Sequence, residues 1–165
     1  NVVDVKISDF GFAKRVLYPN SLRTQIGTEG YVAPEILEHR PAYDVQCDMW
    51  SCGVVLYILL GGYRPFRGEG EEVLRLTRYG EFKFHKRYWK DISEAAKILI
   101  SRMLTVDPLC RITATAALQS EWIQMGDHED GDFCDSVDEE DNNHNGRTKP
   151  EAAVNSAVAG KGRWD

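Results

Sequence analysis

The sequence predicts a mainly α domain, with helices packed round one buried central helix and a short β-strand at the N-terminus. The first observation behind this is the stretch from Asp48 to Phe66, DMWSCGVVLYILLGGYRPF. Between Met49 and Leu60 only Ser51 is distinctly polar and only Gly53 lacks a side chain, so the segment offers no wet face and is expected to be buried all round. A dozen helical residues rise about 18 Å, and a run this long exceeds the usual strand. It falls short of the roughly 20 apolar residues that span a bilayer. The second observation is a set of downstream stretches with apolar residues at helical spacing between capping residues. The third is the alternation of Val3, Val5 and Ile7 with Asp4, Lys6 and Ser8, the period of a half-buried strand.

Composition bounds the rest. A chain of 165 residues is about one domain's worth. Residues 1–126 carry 16 Lys and Arg against 15 Asp and Glu, whereas residues 127–165 carry 4 against 11. The globular part is therefore balanced and the acidity is a tail. Nothing basic argues for nucleic acid or an anionic membrane as partner. Cys47, Cys52, Cys110 and Cys134 form no C-x-x-C pair and have no His at ligand spacing, so they read as reduced thiols. That suits the cytoplasm, with the nucleus as the alternative. Asn1 to Ala13 holds Asp4, Lys6 and Asp9 where a signal peptide needs an apolar run. With no starting Met, the chain is expected to be a fragment and its domain incomplete.

In chain order, the strand delivers Asp9-Phe10-Gly11 at its end. A hard carboxylate oxygen, a large apolar anchor and a glycine hinge suit a strand-end cation ligand. Taken as a three-residue string alone, the residues favour a turn aspartate beside a core phenylalanine. Phe12 to Tyr31 shows no sustained period and reads as a long loop, which is uncommon unless functional. It carries Ser21, Thr24 and Thr28 and runs into Ala33-Pro34-Glu35. The central helix follows, stopped by Gly61-Gly62 and Pro65. Glu71 to Tyr79 forms an amphipathic helix closed by Gly80. Ser93 caps a helix over Glu94 to Leu104, with Ala95, Ile98, Leu99, Met103 and Leu104 as its apolar stripe. Asp107-Pro108 breaks it. Thr113 caps a last helix from Ala114 to about Met125, with Leu118 and Trp122 at i, i+4.

Asp-Phe-Gly and Ala-Pro-Glu about two dozen residues apart mark the two ends of a protein-kinase activation segment, here residues 9–35. VKISDFGFAK, GTEGYVAPEIL, DMWSCGVVLYILLGGYRPF and DISEAAKILISRMLTVDPLCRITATAALQSEWI together resemble a serine/threonine protein kinase of the calcium/calmodulin-dependent group. The resemblance covers residues 1–125, leaving 126–165 as an acidic tail that composition marks as disordered. It implies the helical C-terminal lobe of a kinase catalytic domain. It also implies transfer of the γ-phosphate of ATP, with Mg²⁺, to Ser or Thr of protein substrates. By this resemblance Asp9 binds the Mg²⁺ bridging the ATP phosphates, and Phe10 and Gly11 complete that nucleotide-side element. Thr24 matches the activation-loop position phosphorylated by an upstream kinase, where a phosphate would order the loop against an arginine cluster. Its bland reading is an exposed loop threonine. Thr28 matches the substrate-positioning threonine beside the catalytic aspartate. Glu35 and Arg111 match a structural ion pair joining the segment's end to the helices. Asp48 matches the aspartate that accepts N–H bonds from the catalytic loop, its plainer reading being an ordinary cap. Ile58 stands where kinases that prefer basic residues carry a glutamate, so a basic substrate preference does not follow.

The tail argues against a calmodulin partner, since nine acidic residues between Asp127 and Asp141 preclude a basic amphipathic helix. Asp141, Asn143, Asn145 and Gly146 match half of a calcium loop, but Ala152 replaces the required Glu and Pro150 intrudes. The catalytic base, the second Mg²⁺ ligand, the Gly-rich loop and the strand lysine are expected upstream of Asn1. Asn1 lies too close to Asp9 to be that second ligand. The isolated chain is accordingly expected to be inactive. The competing reading is a pseudokinase or a truncated binding module that competes for kinase partners.

Overall fold

The computed structural model describes residues 6–39 and 41–129. A single 3-10 turn at Pro34–Ile36 precedes the helices α1 (Gln46–Gly61), α2 (Glu71–Tyr79), α3 (Lys86–Trp89), α4 (Glu94–Met103), α5 (Ala114–Leu118) and α6 (Glu121–Glu129). Most of the expected strand lies outside the described residues, and Ile7, which is described, is exposed and in no regular element. The acidic tail beyond Glu129 lies outside them too. Among the described residues the sole β pairing is an antiparallel bridge between Leu22 and Tyr43.

The α1 helix organises the packing. Asp44 Oδ1 accepts the Gln46 N–H at 3.2 Å and satisfies one of the orphan donors at the helix start. The helix ends on Gly62, whose φ of +77° only glycine adopts freely, and whose N–H donates to the Ile58 carbonyl at 2.8 Å. Trp50, Val54 and Tyr57 are fully buried. The ring of Trp50 stacks on Phe66 at 5.4 Å, while Tyr57 packs among Tyr63, Phe82, Phe84 and Trp89. Gly53 brings α1 against α4 so closely that a Cβ there would sit 2.7 Å from the Met103 Cβ. A second core forms below, where Met49, Leu99, Met103, Ile112 and Ala117 receive Trp122 and Ile123.

Three expectations need correction. The central helix is not buried all round. Asp48, Cys52, Val55 and Leu59 form one open stripe at i, i+4, i+7 and i+11, with Leu59 75% exposed. The stripe of α4 is also rotated from the one expected. Ala96, Leu99, Ile100 and Met103 are buried, while Ile98 is 52% exposed, because Gly53 and Leu104 fix which side of α4 meets α1. Finally, the last helix is two helices. The chain turns at Gln119-Ser120, where the Ser120 carbonyl accepts the N–H groups of Ile123 and Gln124, and the turn swings Trp122 and Ile123 onto the lower core. Leu118 is left exposed.

The local signals behave as their chemistry dictates. Ser93 Oγ accepts the Ala96 N–H and Thr113 Oγ1 accepts the Ala116 N–H, each at 3.2 Å. Gly80, at φ +63°, closes α2.

Candidate functional site

Asp9 has φ +63°, a left-handed conformation that aspartate tolerates better than most residues because its short side chain bonds locally. Its Oδ1 accepts the Gly11 N–H at 3.3 Å, which fixes the carboxylate at the start of the segment. The side chains of Asp9 and Phe10 are exposed, Phe10 by 69%. No group of three or more His, Cys, Asp or Glu among the described residues could enclose a metal ion. A single accessible carboxylate nevertheless fits Mg²⁺ carried on a nucleotide, because that ion takes one or two carboxylates and completes its shell with phosphates and water.

From Asp9 the segment runs over the start of α1. Leu22 and Tyr43 exchange backbone hydrogen bonds at 3.1 and 3.2 Å, and Tyr43 Oη donates to the Thr24 carbonyl at 2.6 Å. The Thr24 hydroxyl faces outward and accepts from Lys14 Nζ at 2.8 Å. The neighbouring cation, Arg23, is engaged with the carbonyls of Asn20 and Leu22, so a lysine rather than an arginine cluster attends Thr24. Further on, the Thr28 carbonyl accepts the N–H groups of Tyr31 and Val32 at 3.0 and 3.3 Å, turning the chain toward the Pro34–Ile36 turn. Beneath the segment lies a cavity of about 320 Å³ lined by Thr24, Thr28, Tyr43, Cys47, Asp48 and Ser51 among others. Thr24, Thr28 and Asp48 thus share one cavity; Asp9 is not part of its wall. Burial, reinforced by the nearby Asp48 carboxylate, pushes the Cys47 thiol up to about 12 and raises the Tyr43 phenol. Both groups stay neutral at physiological pH.

The far end of the segment is clamped. Arg111 Nη1 and Nη2 donate to Glu35 Oε1 and Oε2 at 2.6 and 2.8 Å, a bidentate pair whose Arg111 side chain is fully buried. The remaining donors go to the carbonyls of Thr105 (2.9 Å), Gln46 (2.7 Å) and Val106 (3.0 Å). All five guanidinium N–H groups are therefore occupied. The guanidinium also lies 5.2 Å from the Trp50 ring centroid. Gln46 completes the lock, its side-chain amide donating to the Arg111 carbonyl at 3.0 Å. Sequence reasoning missed Gln46, Tyr43 and Lys14. Backbone acceptors carry no residue signature, and only Lys14, a cation in the same loop as Thr24, left a trace that could have been followed.

Comparison with known proteins points one way. Residues 1–123 match the protein kinase domain model. The chain is 47% identical over 123 residues to the human serine/threonine-protein kinase DCLK3, covering 73% of this chain and 18% of that protein. It is 43% identical over 122 residues to calcium-dependent protein kinase 4 of Plasmodium falciparum, covering 73% and 23%. It is 47% identical over 128 residues to ribosomal protein S6 kinase 2 alpha of Xenopus laevis, covering 74% and 17%. The chain spans about a fifth of the length of these relatives.

Proposed function

The chain belongs to the protein kinase domain family, and on that premise we propose that it serves a serine/threonine kinase as its activation segment and helical lobe. The reaction would move the γ-phosphate of ATP to a Ser or Thr hydroxyl of a protein substrate. Phosphoryl transfer asks a protein for positioning and charge neutralisation more than for covalent chemistry, and that is what these residues offer. The observation carrying the proposal is the asymmetry of the segment. Its Glu35 end is locked by Arg111, while its Asp9 end is accessible and holds one carboxylate in a fixed turn.

Asp9 is the ligand for the Mg²⁺ of MgATP. That ion, when bound, neutralises charge on the phosphates. Thr28, on the cavity wall, positions the acceptor side, and Asp48 on the same wall accepts N–H groups of a catalytic loop. The exposed Thr24 hydroxyl suits phosphorylation by an upstream kinase, with Lys14 as the cation that receives the phosphate. The 165 residues contain neither a His-Arg-Asp catalytic loop nor a Gly-rich phosphate loop, so on their own they transfer no phosphate. Three free thiols, Cys47, Cys52 and Cys110, suit a reducing compartment, the cytoplasm or nucleus.

Radiolabelled phosphate transfer to a Ser/Thr peptide tests this. The full-length protein carrying these residues should phosphorylate the peptide, its Asp9→Asn variant should lose about 100-fold or more, in keeping with the weight of electrostatic stabilisation in such sites, and the 165-residue chain should stay at background. Turnover by the chain alone would overturn the division of labour. An inactive full-length protein would favour the binding-module reading.

A further inference from the structure

We propose that the acidic segment Asp127–Asp141 docks on the basic surface around α3 of the same chain. Between Lys83 and Lys97 the sequence carries five cations, Lys83, Lys86, Arg87, Lys90 and Lys97, against two acids, Asp91 and Glu94. Both acids are already matched: Asp91 lies 3.7 Å from Lys90, and Glu94 lies 3.5 Å from Lys97. Nearby Glu81 is held by Arg75 at 3.0 Å. Lys83, Lys86 and Arg87 are exposed and have no carboxylate within 4 Å among the described residues. The Arg87 guanidinium rests over the Tyr88 ring at 5.5 Å, which holds the charge out toward solvent. A surface with unmatched cations on a short, aromatic-backed helix is a ready partner for a run of carboxylates.

The run is supplied next door. Met125 and Gly126, near the end of α6, line one groove with Ser93, the residue that caps α4. Ser93 follows Lys90 by three residues, at most about 10 Å of chain. The fifteen residues Asp127 to Asp141 hold nine Asp or Glu and no Lys or Arg. The twelve of them beyond α6, residues 130–141, span at most about 40 Å, enough to reach α3 even when contracted. A tether this short gives an effective concentration in the mM range, which favours the chain's own carboxylates over a nucleic acid or another anion arriving from solution. The charges are exposed, so the contact should weaken as the screening length falls from about 10 Å at 0.1 M salt to about 3 Å at 1 M.

Zero-length carbodiimide coupling of the full 165-residue chain, followed by mass spectrometry, tests this. An equimolar mixture of unlabelled and ¹⁵N-labelled protein separates links within a chain from links between copies. At low salt, amide links should join Lys83, Lys86 or Lys90 to carboxylates of 127–141 within single chains, falling about tenfold at 1 M salt. Replacing Asp130, Asp132, Asp135, Asp138, Glu139, Glu140 and Asp141 by Lys should abolish tail-to-α3 links, since seven Lys against the two remaining acids make the segment repel the basic face. Adding Lys83→Glu, Lys86→Glu and Lys90→Glu to that variant should restore them with the polarity reversed, provided circular dichroism shows the helices intact. No tail-to-α3 links, links of mixed isotope only, links indifferent to salt, or a double swap that fails to relink would each overturn the proposal.

Discussion

At Arg111, the shape of the side chain matters as much as its charge. A lysine brings three donors on a point charge, whereas the site presents a carboxylate and three carbonyls arranged to fit a planar fork. Arg111→Lys should therefore destabilise nearly as much as Arg111→Ala. Arg111→Ala should cost about 3 to 5 kcal/mol, since the Glu35 carboxylate is left partly buried and unpaired. Removing both charges, as Glu35→Leu with Arg111→Leu, should cost less than Arg111→Leu alone. Urea denaturation midpoints at constant slope would measure the order, and a double variant weaker than the single would refute this account. The two ends of the pair are legible in the sequence only through the family resemblance, 76 residues apart. The three carbonyls that complete it belong to backbone and are invisible there.

At the level of the helix, local chemistry and tertiary packing separate cleanly. Ser93, Thr113, Gly62 and Gly80 are readable from sequence because a cap involves only its own turn. The phase of α4 and the break at Gln119-Ser120 are not, because each is set by what packs against the helix. Gly53 and Gly126 give the sharpest contrast. Alanine is the better helix former at both by up to about 1 kcal/mol. At Gly126, where a Cβ would meet nothing within 4 Å, Gly126→Ala should raise the melting temperature. At Gly53 the added methyl would meet Met103 and Leu104 at 2.7 to 3.0 Å, and Gly53→Ala should cost about 1 to 3 kcal/mol. Equal responses at the two positions, read by thermal denaturation, would remove the case for close α1–α4 packing.

For the molecule as a whole, the apolar run of α1 was legible as a core helix, and the lobe round it follows. Its uncovered stripe could not be read from the run, since a sequence apolar on every side states what burial it favours and not which residues supply it. Val55 and Leu59, 45% and 75% exposed, should make the chain on its own associate. Sedimentation velocity should show this, and Val55→Glu with Leu59→Glu should shift the population toward monomer. A monodisperse native chain would count against it. Of the candidate site residues, Asp9 and Thr28 lie in string motifs and Thr24 four residues before Thr28, whereas the cavity joining Thr24 to Asp48 exists only once the loop crosses the helix. The Glu35–Arg111 lock has a further consequence during synthesis. At about 5 to 20 residues per second, the ribosome adds Arg111 roughly 4 to 15 s after Glu35, a gap of 76 residues. For that interval the nascent chain holds a carboxylate whose cation has not been made, and a chaperone or protease meets the segment before the fold can fasten it.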